Sequence, residues 1–149
     1  MEPVPVTRKE KITVIGAGPS GMTAARDLAL RGYGVTVFDE LPEPGGMLRW
    51  GIPAYRLPRD IIKREIKDIL GLGIELQCNT RVGRDITWDS IRNDFHAIYV
   101  AIGVQRSMQA NTEGEDLSGV SGAVEFLREL NLGNKPYVGK RVAVIGGGN

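Results

Sequence analysis

Cysteine is all but missing from this chain: Cys78 stands alone among 149 residues. One thiol excludes a disulfide framework, a paired-cysteine redox centre and any iron–sulfur or zinc site built from several thiolates of this chain. Histidine is as scarce, with His96 the only one, and no nucleophile partner for catalysis stands out. Net charge is close to nil, 19 basic residues against 18 acidic, so no bulk field favours nucleic acid or a membrane surface. No apolar run approaches the ~18 residues that span a bilayer. The opening MEPVPVTRKEK lacks the apolar core of a signal peptide, so the expected compartment is the cytoplasm.

Glycine, by contrast, is plentiful: 20 residues, many of them clustered. Clustered glycine suggests backbone brought close to a ligand, although turns also consume it. The length suits one domain with its own core.

KITVIG (11–16) is a short β-branched run of the kind that forms a buried parallel strand. PSGMTAARDLALRG (19–32) follows as a helix ended by Gly32, and YGVTVFDE (33–40) as a second strand. This strand–helix–strand unit is a parallel crossover. RDIIKREIKDILGLG (59–73) sets Ile62, Ile66, Ile69 and Leu70 on one helical face, leaving its basic residues solvated. IELQC (74–78) reads as a strand in which Cys78 serves as a small buried hydrophobe. TRVGRDI (80–86) reads as a short extended piece, and Thr87 as the cap of a brief helix through Arg92 packed by Trp88. HAIYVAIG (96–103) is expected to be a buried strand, and SGAVEFLRELNLG (121–133) a helix capped by Ser121. Finally KRVAVIGGGN repeats KITVIGAGP, with Gly146 standing where Gly16 stands in the first copy. The chain stops inside this second motif, which is expected to be a cut.

The first copy carries Gly16-x-Gly18-x-x-Gly21. In such a turn the first glycine permits the sharp bend and the second lets a pyrophosphate approach. The third lets helix and strand pack, and the helix N-terminus faces the anion. Asp39 follows ~20 residues on, at the end of the second strand, where a carboxylate can accept from ribose hydroxyls; Glu40 beside it is the alternative. A purely structural turn with a solvated strand end would use the same residues. The strand before, the helix after and the acid in place favour a dinucleotide, without saying which one.

PGGMLRWGIPAYRLP (44–58) then interrupts the pattern and fits neither helical nor strand periodicity. Gly45 and Gly46 can bring amide N–H groups to a phosphate. Arg49 and Arg56 supply cations, and Trp50, Ile52 and Tyr55 supply a flat apolar wall. A surface loop with snorkelling arginines is the other reading.

Taken together, VIGAGPSG, VTVFDELPEPGGMLRWGIPAYRLPRDII, RVGRDIT, AIYVAIG, GEDLSGV and RVAVIGGGN resemble the flavin-binding part of the glutamate synthase small-subunit family, over residues 10 to 149. The resemblance implies FAD along the first fingerprint and NAD(P)H in a domain opened by the second. Ala17, Gly18, Pro19, Ser20 and Gly21 would hold the pyrophosphate, and Asp39 the adenosine ribose. Gly45, Gly46 and Met47 would lie along the cofactor, with Arg56 near its phosphates or flavin. Val82 would meet the adenine through its backbone, and Ala101, Ile102 and Gly103 match the family's strand-end motif. Asp39 stands where the family more often has glutamate, and Ile102 where it has threonine.

The expected fold is therefore a three-layer α/β Rossmann-like domain around a central parallel sheet, truncated. Residues 1–10 would be a tail and 11–120 the first part of the FAD-binding domain. Residues 121–139 would be a connecting helix and linker, and 140–149 the first strand of an NAD(P)H-binding domain. The expected function is electron passage from NAD(P)H through FAD to an iron–sulfur or other redox partner, with no nucleic acid and no membrane involved. A plain NAD(P)-binding dehydrogenase domain, or a non-catalytic assembly or electron-relay module, are the rivals.

Overall fold

A computed structural model describes residues 2–147. Strand β1 (Lys11–Ile15) leads into helix α1 (Pro19–Leu30) and back to β2 (Gly34–Phe38). A one-turn helix α2 (Met47–Trp50) and the longer α3 (Arg59–Leu70) precede β3 (Glu75–Gln77). Helix α4 (Trp88–Asp94), β4 (Ala97–Val100) and α5 (Ala123–Asn131) complete the order. The strands form one sheet in the order β3-β2-β1-β4, every pair parallel.

Two apolar faces build the layers. Val14, Val35 and Val37 point to one side, where they bury Met22, Ala25 and Ala29 of α1 and Ile62 and Ile66 of α3. The small side chains of α1 let that helix lie close to the sheet, and Pro19 pre-sets its first turn. Ile15 and Phe38 point to the other side, where Ile91 of α4 is wholly buried against them. Phe95 meets Phe38 edge to face at 6.1 Å. The alternation of faces along β1 and β2 thus accounts for helix, sheet and helix as three layers.

Chain order matters for the site. From β1 the chain moves outward through β2 and β3, then returns to the opposite side of β1 as β4. The reversal lies between β1 and β4, and ligands of open α/β sheets bind beyond the carboxyl ends of strands at such a switch point.

Four expectations change. β4 is not a buried strand: it pairs only with β1 among the described residues, and Tyr99 and Val100 are 42% and 55% exposed. An apolar run does not say on which side a strand lacks a neighbour. Ser121 does not cap α5, whose cap position is Gly122 without a side-chain bond. Ser107 does that work from another loop, its Oγ accepting from the Val124 amide at 3.0 Å. The 44–58 stretch contains one helical turn, α2, closed by the Trp50 amide bonding to the Gly46 carbonyl. Residues 142–147 form no strand, and Val142, Val144 and Ile145 are exposed. A strand needs a ladder partner, and none reaches this segment among the described residues. Gly148 and Asn149 of the expected strand lie outside the described residues.

Candidate functional site

A cavity of ≈570 Å³ opens at the switch point. Its walls are the carboxyl ends of three strands: Ile15 and Gly16 after β1, Phe38 and Asp39 after β2, Val100 and Ala101 after β4. The first turn of α1 and the residues leading into α2 close one side.

The three fingerprint glycines differ in what excludes a side chain. Gly16 has φ 109°, and a Cβ there would run into the Ala101 carbonyl. At Gly21 a Cβ would meet the Gly16 carbonyl and the Val14 side chain, so this glycine lets α1 pack on β1. Gly18 has ordinary extended backbone, and a Cβ would touch only the Gly46 Cα, at a comfortable 3.7 Å. The protein itself does not need glycine at 18; the open space beside it belongs to the cavity, which Gly18 lines. No side chain caps the α1 N-terminus and no acidic residue sits in its first turn. The amides of Ser20 and Gly21 precede the first intrahelical bond, which runs from Met22 to the Gly18 carbonyl. This cradle suits an anion. Ser20 Oγ lies 3.0 Å from the Tyr99 hydroxyl of β4, which sequence reasoning did not single out.

Asp39 is half-buried on the cavity wall. Its Oδ2 accepts from the Ala17 amide at 2.6 Å and its Oδ1 from the Leu41 amide at 2.8 Å. Burial pushes the carboxyl above its ordinary value; the two amides oppose that shift and Glu40 adds to it. The Ala17 amide is thereby committed to Asp39, which leaves the amides from Gly18 onward for a phosphate. Glu40 also lines the cavity, with the Arg81 guanidinium 3.6 Å away.

The paired glycines serve packing. The Gly45 amide donates to the Ala17 carbonyl at 2.8 Å, so it is not offered to a phosphate as expected. Gly46 has φ 51°, and a Cβ would strike the Gly18 Cα. Loop and fingerprint therefore touch backbone to backbone. Gly46 and Met47 line the cavity, while Gly45 lines an apolar groove of ≈290 Å³ behind it.

The remaining loop residues depart from expectation. Arg49 is buried, its guanidinium held by Glu43 at 2.9 Å and by the Pro44 carbonyl, so it is a structural cation. Trp50 is 4% exposed and belongs to the core, not to an open wall. Tyr55 is exposed, and Arg56 stands on the 54–56 turn outside the cavity lining. The prolines and glycines of this loop gave no helical period from which the burial of Arg49 and Trp50 could be read.

Twelve expected residues line the cavity: Gly16, Gly18, Pro19, Ser20, Asp39, Glu40, Gly46, Met47, Val82, Ala101, Ile102 and Gly103. Ala17, Gly21, Gly45 and Arg56 do not. Thr80, Arg81, Trp88 and Gln105 join it without having been foreseen as site residues. Trp88 is 45% exposed, not packed into its helix as expected, and no periodic signal marks it. Cys78 is half-buried, and burial with Asp39 and Glu43 nearby pushes its thiol up, against thiolate formation. His96 Nδ1 accepts from the Lys11 amide at 3.1 Å, a bond at the start of β1. No group of residues fit to hold a metal occurs among the described residues. None of their helices is long and apolar enough to cross a membrane.

The chain is 50% identical over 151 residues to the NADP(+)-dependent formate dehydrogenase subunit beta of Moorella thermoacetica, covering 99% of the chain and 21% of that protein. It is 39% identical to the glutamate synthase [NADPH] small chain of Escherichia coli, covering 94% of the chain and 32% of the relative. The chain thus spans about a fifth to a third of these relatives' lengths. Among solved structures, Mycobacterium tuberculosis FprA in complex with NADPH matches with a TM-score of 0.76 and 26% identity, over 83% of the chain and 29% of FprA. Residues 10–149 match the pyridine nucleotide-disulphide oxidoreductase family, and the chain belongs to it.

Proposed function

We propose that the cavity takes FAD and that this chain is the flavin-binding part of an NADPH-dependent oxidoreductase. The observation that carries the reading is Gly18: a glycine the fold does not require, beside open space, at an uncapped helix N-terminus. The amides of Gly18, Ser20 and Gly21 would hold the pyrophosphate. Asp39, with Glu40 beside it, would accept from the adenosine ribose, and Val82 would meet the adenine. Gly46, Met47 and Ala101 to Gly103 would lie toward the flavin. Bound FAD supplies hydride acceptance from a nicotinamide and release of electrons singly or in pairs. This chain's own residues bind and orient it; none is assigned an acid–base step.

The nicotinamide nucleotide is NADPH in this proposal, supported by the names of the relatives and by FprA. The second glycine-rich segment, residues 140–149, would open its site. Names such as "subunit beta" and "small chain" support a partner subunit, and electrons would leave to an iron–sulfur or other redox centre there, in the cytoplasm.

The test is a parallel titration of the chain with FAD, FMN and NAD⁺, followed by flavin fluorescence and by heat. FAD is expected to bind at least ~10-fold more tightly than either, a difference of about 1.4 kcal/mol. NAD⁺ binding as well as FAD would support a plain dehydrogenase domain instead. Absence of binding by all three would favour the non-catalytic assembly module.

A further inference from the structure

Arg59 opens α3, at the end of the helix whose dipole disfavours a cation. Burial and the nearby Arg49 guanidinium also work against its charge. Its acceptors are neutral oxygens: the carbonyls of Leu48 at 3.2 Å, Leu57 at 3.3 Å and Ile52 at 2.7 Å, and Asn131 Oδ1 at 2.8 Å. Leu48 belongs to α2 and Ile52 and Leu57 to the loop between α2 and α3, which bends around the guanidinium. The fourth belongs to the last residue of α5.

Asn131 answers from the other side. While Oδ1 accepts from Arg59, Nδ2 donates to the Trp50 carbonyl at 2.8 Å. A carboxamide does both at once; a carboxylate cannot donate and an aliphatic group does neither. Trp50 closes α2, and the first residue of α2, Met47, lines the cofactor cavity. Met47 follows Gly46, whose backbone abuts Gly18.

We propose that Asn131, acting with Arg59, is a positioning residue for the cofactor cavity: it clamps the 47–57 loop to α5 and so holds Gly46 and Met47 against the fingerprint turn. The clamp itself rests on hydrogen bonds alone; its bearing on the cofactor rests on the FAD reading above.

Asn131→Leu removes both bonds at similar volume, and Asn131→Asp keeps the acceptor for Arg59 while losing the donor to Trp50. Amide hydrogen exchange is compared in the ligand-free proteins, and FAD dissociation and the visible circular dichroism of bound FAD in the loaded ones. In Asn131→Leu, amides of residues 48–57 are expected to exchange about tenfold faster with β1 and α1 unchanged, and FAD to leave about tenfold faster with an altered dichroism. Asn131→Asp should fall between. Loop protection equal to wild type in Asn131→Leu overturns the clamp, whatever happens to FAD. Should that variant fail to fold, unchanged protection of the loop amides in Asn131→Asp overturns it. Wild-type protein that binds no FAD would sink the FAD reading and leave the exchange comparison to decide the clamp.

Discussion

At the residue scale, Gly16 and Gly21 are glycine for the protein, while the fold itself does not require glycine at 18, which the FAD proposal reserves for the ligand. Substituting Gly16 or Gly21 by alanine is expected to destabilise the fold, because the new methyl meets backbone carbonyls that cannot move far. Both losses should appear as lowered midpoints in chemical denaturation. The motif's spacing and context were readable in the sequence; the difference between its members was not, because it depends on what β4 and α2 bring alongside. Asp39 makes a second prediction. Its carboxyl is raised by burial, so in the ligand-free protein its contribution to stability is greatest below the ordinary value and is lost as pH rises through the folded one. Ribose hydroxyls donate to the ionised form, so FAD works in the opposite direction. FAD affinity should therefore weaken as pH falls through the raised value, and Asp39→Asn should bind more weakly with that pH dependence removed. Titrations across the acid range check it; an identical slope in the variant would assign the effect elsewhere.

At the scale of elements, the layers differ in how much holds them. The α1/α3 side has many small contributions, while the α4 side hangs on Ile91 between Ile15 and Phe38. Ile91→Ala is expected to cost about 2–5 kcal/mol, seen in urea unfolding, with α4 and the residues leading into it loosened first. Helix α5 depends on a loop: Ser107 Oγ accepts from the Val124 amide, while its own amide and hydroxyl donate to the Glu125 carboxylate at 2.9 and 2.6 Å. Ser107→Ala should cost about 1 kcal/mol and fray the first turn of α5, measurable as faster exchange of its amides. Helices α1 and α3 were legible because their apolar faces repeat with the helical period. The cap from Ser107 was not, because a side chain 17 residues from the amide it accepts from leaves no local pattern. The exposed edge at β4 was hidden for a related reason: Ala97 to Val100 read as apolar wherever the sheet happens to end.

For the molecule as a whole, the sheet order decides where the site can be. Sequence alone gave parallel strands joined by helices, but the return of β4 to the far side of β1, which creates the crevice, came from the three-dimensional arrangement. Binding there should stabilise the whole chain: with FAD at 100 times its dissociation constant, linkage adds about 2.7 kcal/mol, or roughly 5–10 °C in Tm for this size. The most direct measurement of the central claim is FAD titration of wild type against Gly18→Ala, with thermal unfolding of both ligand-free proteins alongside. A site built for pyrophosphate predicts equal ligand-free stability, within about 0.5 kcal/mol, and FAD affinity at least ~10-fold weaker in the variant. Equal affinity in a variant of equal stability would contradict it, showing that the space beside Gly18 is not where the cofactor lies.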